Sequence, residues 1–129
     1  MIPITKPLLD KNDLKHIKKV ISSKILTDGY YQSKSEKIIK NLIKSKFIAL
    51  THSCTAALEI SAILINLKKN DEVIMPSYGF VSVANAVVLR GAKPVFADIN
   101  PLTLNVSYKD ISKKITKRTK AIYVIHYAG

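Results

Sequence analysis

Ser53, Cys54 and Thr55 set two hydroxyls and a thiol side by side, between an apolar run and a helical pattern. Residues of these types at the start of a helix can cap it and hold an anion. Ser53 is placed as the N-cap, and the first backbone N–H groups, those of Cys54, Thr55 and Ala56, point with the positive end of the helix dipole at whatever lies over the turn. A phosphate suits such a cradle, while a capped crossover with no ligand would use the same residues. Other chemistry is poorly supplied. Cys54 is the only cysteine, so neither an intrachain disulfide nor a thiolate metal site can be assembled. His16, His52 and His126 lack the carboxylate or histidine spacing of a metal site, and no GxGxxG or GxxxxGK[ST] is present. Ser53, His126 and Asp98 could be forced into a Ser-His-Asp grouping, but the sequence order gives that no support.

The elements that would position these residues follow from periodicity. Residues 47–50, FIAL, read as a buried strand, apolar and too short for a helix. From Cys54 onward, Cys54, Ala57, Leu58, Ala62 and Ile65 recur at helical steps and predict one buried face. Before that, Asp10 opens a helix whose Leu14, Ile17, Val20 and Ile21 face one way. After a loop around Asp28, Ser33 and Glu36 have capping-box spacing ahead of Ile38, Ile39, Leu42 and Ile43. Past residue 70, EVIM at 72–75 is a strand closed by Pro76. Residues 80–89 read as a helix with Val81, Ala84, Val87 and Val88 buried and Gly91 at its C-cap. Residues 94–99 form the next strand. Ser107 and Asp110 repeat the capping-box spacing before a helix, and residues 121–127 are a last strand. Strand and helix alternate from residue 47, which argues a mostly parallel α/β sheet whose carboxyl edge is the place for a ligand.

Composition narrows the function classes. One domain is expected over residues 1–129, with helices and a loop over 1–46 and alternating strands and helices over 47–129. Hydrophobic residues make up 47% and can furnish a core. The formal net charge is +12, nearly all of it from Lys scattered over the predicted helices, with Arg90 and Arg118 the two arginines. Nucleic-acid reading favours Arg and a segregated block, so a solvated basic face is the expectation and a nucleic-acid partner is not. No run approaches the ~20 apolar residues a bilayer span requires. The opening residues have neither the basic nor the apolar region of a secretory signal, so a cytoplasmic setting is expected.

SCTAALE at 53–59, DEVIMPSYGFVSVANAVVLRGAKPVFADI at 71–99 and VIHYAG at 124–129 carry a resemblance to the N-terminal part of the DegT/DnrJ/EryC1/StrS family. These are sugar aminotransferases dependent on pyridoxal phosphate, with the aspartate aminotransferase (type I) fold. Within the family the likeness is greatest to members that aminate a dTDP-4-keto-6-deoxy sugar in enterobacterial common antigen synthesis. The resemblance implies a partial large domain, a homodimer in the intact enzyme and a cofactor phosphate held by the amides of Thr55 and Ala56 with the Thr55 hydroxyl. It implies that Phe80 stacks on the pyridine ring, that Asp98 is structural, and that Tyr30, Tyr31 and the loop around Asp28 approach the sugar nucleotide. Gly79 and Val83 stand where relatives usually have Thr, and Tyr30 where the nearest have Gly.

The same resemblance places the pyridine-pairing Asp, the Schiff-base Lys and the small domain beyond Gly129. Residues 1–129 are therefore expected to be inactive as a transaminase by themselves and marginally stable. The alternatives are a non-catalytic phosphate-binding or dimerisation module and one half of a split enzyme.

Overall fold

A computed structural model describes Pro3 and residues 5–128. The chain divides into two compact units, Met1–Leu50 and Thr51–Gly129.

The first unit holds α1 (Lys11–Ser23) and α2 (Tyr30–Ile43). Asp10 caps α1 as expected. Its carboxylate accepts from the N–H groups of Asn12 and Asp13, and Asp13 returns a carboxylate oxygen to the Asp10 N–H at 2.8 Å. These backbone donors hold the Asp10 carboxyl below its ordinary pKa. For α2 the expected Ser33–Glu36 capping box does not form. The helix starts a turn earlier, with Gly29 at its N-cap and the Ser33 N–H already bonded to the Gly29 carbonyl. Gln32 is the reason: its side chain exchanges hydrogen bonds with Asp28 and closes the entry turn ahead of Ser33. The stripes expected to be buried are largely exposed, Leu14, Ile17, Ile21, Ile38, Leu42 and Ile43 all among them. Residues 47–50 do not form the expected strand. Apolar character alone makes no strand without a ladder partner, and both the N–H and the carbonyl of Phe47 are engaged by the Ser45 hydroxyl.

The second unit is built on β1 (Glu72–Pro76), flanked by β2 (Lys93–Ala97) and β3 (Thr119–Ile122) in the order β2-β1-β3, all parallel. Every residue of β1 is buried, as a central strand covered on both faces requires. Val73 and Met75 pack with Ala62 and Leu67 and with Val83 and Val87 in the main core. Ala62 belongs to α3 (Cys54–Leu64), Val83 and Val87 to α4 (Ser82–Val88). On α3 the expected face is buried at Ala62 and half-buried at Leu58 and Ile65, while Cys54 and Ala57 are exposed. On α4 the expected face is met in part, at the buried Val87 and the half-buried Ala84. Val83, Ala86 and Val87 are buried, and Val81 and Val88 face out. An almost wholly apolar helix leaves its phase to the neighbours that pack on it. Gly91, two residues past the cap, has φ +73, which suits glycine.

The chain moves from β1 to β2 and then crosses back over β1 to β3. With right-handed crossovers, α4 and α5 (Tyr108–Lys114) cover opposite faces. The Ser107–Asp110 box is not formed either. The Asp110 carboxylate accepts instead from the Asp98 N–H at 2.7 Å, and that bond keeps the Asp110 pKa low. The last strand is shorter than residues 121–127. Tyr123 N–H still donates to the Ile74 carbonyl at 2.8 Å. The next ladder bond would need the N–H of Pro76, which proline does not have.

At the amino edge Glu72 is 3% exposed. Its carboxylate accepts from the Thr116 hydroxyl and the Arg118 guanidinium, each at 2.6 Å. The Thr116 hydrogen bond first, and then Arg118, hold its pKa below 4.5. Because the folded value is depressed, the stabilisation is complete above 4.5 and is lost as pH falls through the folded value. Glu72→Gln is therefore expected to lower Tm at pH 7, with a gap from the native chain that narrows in acid. An equal gap at pH 7 and at pH 3, measured by thermal denaturation, would contradict this.

Candidate functional site

In a parallel sheet the connecting helices run back against the strands, so their amino ends gather at the carboxyl edge of the sheet. The loop after β1 and the segment after β3 open there, and α3, which runs into the start of β1 and packs Ala62 on Val73 and Met75, begins towards the same edge.

At α3 the Ser53 Oγ accepts from the Ala56 N–H at 3.1 Å, and the Thr51 hydroxyl donates to the Ser53 carbonyl at 2.8 Å. Ser53 is the N-cap that its residue type predicted. This bond alters the expected cradle, because the Ala56 N–H is already spent. The N–H groups of Cys54 and Thr55 have no partner among the described residues. Both residues are exposed, so the two donors, the Thr55 hydroxyl and the Cys54 thiol open to solvent at the positive end of the helix. The donor set fits a phosphate.

After β1, residues 77–80 leave the sheet. Phe80 lies before α4 rather than inside it, and the residue is 78% exposed. It sits in an exposed stretch, residues 77–81, and offers a flat apolar face to solvent. Phe80 lines a cavity of about 240 Å³ with Met75, Pro76, Gly79, Phe96 and Ile125.

Tyr78 and Tyr127 meet across the edge. Their hydroxyls are 3.1 Å apart and their ring centroids 4.9 Å apart. The hydrogen bond shared with Tyr78 raises the pKa of Tyr127 above its ordinary value. Neither tyrosine was singled out from sequence, since Tyr127 sat inside an expected strand. The available signal was Pro76, which ends the ladder and frees the residues on both sides. Asp98 takes a structural part, its N–H bonded to Asp110 and its carbonyl to the Ser107 N–H. No hydrogen bond joins Ser53, His126 and Asp98 among the described residues, nor does any cluster there have the ligands for a metal ion.

Residues 7–129 match the DegT/DnrJ/EryC1/StrS aminotransferase family. The chain belongs to that family. Its relatives include the GDP-perosamine synthase of Vibrio cholerae, 35% identical over 130 residues, which span all of this chain and 35% of the synthase. Among solved structures it resembles the aminotransferase TlmJ from Streptoalloteichus hindustanus, with a TM-score of 0.92 and 34% identity, covering 100% of this chain and 36% of TlmJ. It also resembles NtdA from Bacillus subtilis with the cofactor PMP bound, with a TM-score of 0.83 and 30% identity, over 92% of this chain and 28% of NtdA. The chain spans about a third of the length of the curated relatives it matches. The fold is thus that of the type I pyridoxal-phosphate aminotransferases, and the three-stranded sheet corresponds to part of it.

Gly79 shows how tightly this edge is fitted. A Cβ there would lie 2.9 Å from Ile125 Cδ1. Gly79→Ala is expected to cost less than about 1 kcal/mol, because the atom it meets is the end of the flexible Ile125 side chain. Adding Ile125→Val, which removes that methyl, should leave the double variant less destabilised than the sum of the singles. Strict additivity in denaturant titrations would contradict the contact.

Proposed function

We propose that this chain supplies the phosphate-binding and ring-stacking part of the cofactor site of a sugar aminotransferase. The Cys54 and Thr55 N–H groups, with the Thr55 hydroxyl, hold the phosphate of pyridoxal phosphate, and Phe80 lies on its pyridine ring. Ser53 and Ala56 support the cradle through the cap rather than by direct donation. The observation that carries this reading is the pair of unpartnered N–H groups at the first turn of α3, on the same sheet edge as an exposed aromatic.

When bound, pyridoxal phosphate supplies the electron sink for amino-group transfer. The residues described here anchor and orient it, and the proton-moving lysine would come from outside residues 1–129. The substrate of the intact enzyme would be a nucleotide-linked 4-keto-6-deoxy sugar, dTDP-linked by the sequence resemblance. A GDP-linked substrate is the second reading, favoured by the GDP-perosamine synthase relative. A homodimer working in the cytoplasm completes the proposal. Among the described residues no helix is long and apolar enough to cross a membrane.

Cys54 offers a direct test, because it is the only cysteine and lies at the first helical position. Pyridoxamine phosphate is the suitable probe, since it cannot form imines with the many lysines. At constant ionic strength, inorganic phosphate and pyridoxamine phosphate should both slow maleimide labelling of Cys54. Thr55→Val removes one hydrogen bond to a charged oxygen and should raise the half-protecting concentration by roughly tenfold. Labelling at the same rate with and without either anion would sink the proposal.

A further inference from the structure

We propose that Tyr78 and Tyr127 are positioning residues that fix the direction of Phe80 by tying together the three loops at the carboxyl edge. This deepens the reading of Phe80 given above and rests on it for its functional meaning. β1 and β3 are neighbours, and the chain reverses its winding direction around them, so their carboxyl ends flank the point where such sheets open a crevice. Tyr78 stands two residues beyond β1, and Tyr127 follows β3. Their hydroxyls are 3.1 Å apart, and their rings pack at 4.9 Å with a tilt of 47°.

The third loop joins through the backbone. Tyr127 N–H donates to Asn105 Oδ1 at 2.9 Å. Asn105 belongs to the turn after β2, where its carbonyl accepts the Asn100 N–H at 2.8 Å. One residue, Tyr127, therefore touches the loops that follow both other strands. Gly79 also lies beside Ile125, where an added Cβ would come within 2.9 Å of Ile125 Cδ1.

Phe80 is the next residue after this clamp. The residue is 78% exposed, so packing does little to set its orientation. The backbone at Tyr78 and Gly79 must do so instead. A neutral phenol pair also serves this role without adding charge beside a site meant for an anion.

Tyr78→Phe and Tyr127→Phe, each in the full chain, remove the shared hydrogen bond and keep both rings. The chain has three phenylalanines, Phe47, Phe80 and Phe96, so their ring resonances can be assigned by NMR. Both variants should displace the Phe80 signals and leave those of Phe47 in place, with circular dichroism unchanged. Affinity for pyridoxamine phosphate should fall by about three- to tenfold, while affinity for inorganic phosphate, which needs no ring, stays within about twofold. In a Phe80→Leu background the same tyrosine changes should cost no further pyridoxamine phosphate affinity. Unmoved Phe80 signals in both variants overturn the proposal, and so do equal losses for the two ligands, which would mark a general structural defect. Displaced Phe80 signals in a protein that binds neither ligand would uphold the positioning role and bring down the cofactor reading alone.

Discussion

The missing N–H of Pro76 is the constraint on which the rest of this sheet edge depends. Residues 74 and 76 of the central strand face β3, and Ile74 accepts from Tyr123 where Pro76 has nothing to give. On the β2 side the ladder continues one step further, with Ser77 N–H donating to the Ala97 carbonyl at 2.8 Å. The sheet is therefore held closed towards β2 and released towards β3 at the same height. That release opens the crevice, frees Tyr123 to Tyr127 to turn over the edge, and lets residues 77–80 meet them. The buried length of β1 makes such a local break tolerable, since Val73, Ile74 and Met75 stay fully packed beneath it.

Several carboxylates are tied up away from the first turn of α3. The carboxylates of Asp10, Glu72 and Asp110 are each committed to hydrogen bonds at a helix start, the amino edge and the end of β2. None of these bonds reaches the first turn of α3. With a formal net charge of +12, the field of the whole chain attracts anions, and the helix dipole of α3 directs that attraction to the Cys54 and Thr55 amides. In the proposed site, diffuse positive charge would gather the anion and the oriented donors would select phosphate geometry.

Much of this was legible in the sequence where a local rule and the tertiary structure agree. Ser53 capping α3, Asp10 capping α1 and the buried run of β1 each follow from residue type and spacing, because the partner atoms lie within a few residues. Failures occurred where a competing partner, near or distant, decides. Asp110 has capping-box spacing to Ser107, yet the Asp98 N–H takes its carboxylate from across the fold. Ser33 and Glu36 lose their box to a competing Asp28–Gln32 turn. Residues 47–50 have strand composition, but a strand requires a ladder, and composition supplies none. The proposed phosphate cradle was legible as a place on the chain and not as a set of donors. Spacing cannot show that the Ser53 side chain consumes the Ala56 N–H.

The central claim is that one sheet edge of this chain holds both halves of a cofactor site, a phosphate cradle at Cys54 and Thr55 and a stacking ring at Phe80. The most direct measurement is an NMR titration of the isotope-labelled chain with pyridoxamine phosphate, resolving backbone amides and phenylalanine rings together. The largest shifts are expected on the Cys54 and Thr55 amides and on the Phe80 ring, saturating together with one affinity. Shifts confined to the lysine-rich helices α1 and α2, or amide shifts at α3 with no response from Phe80, would contradict it.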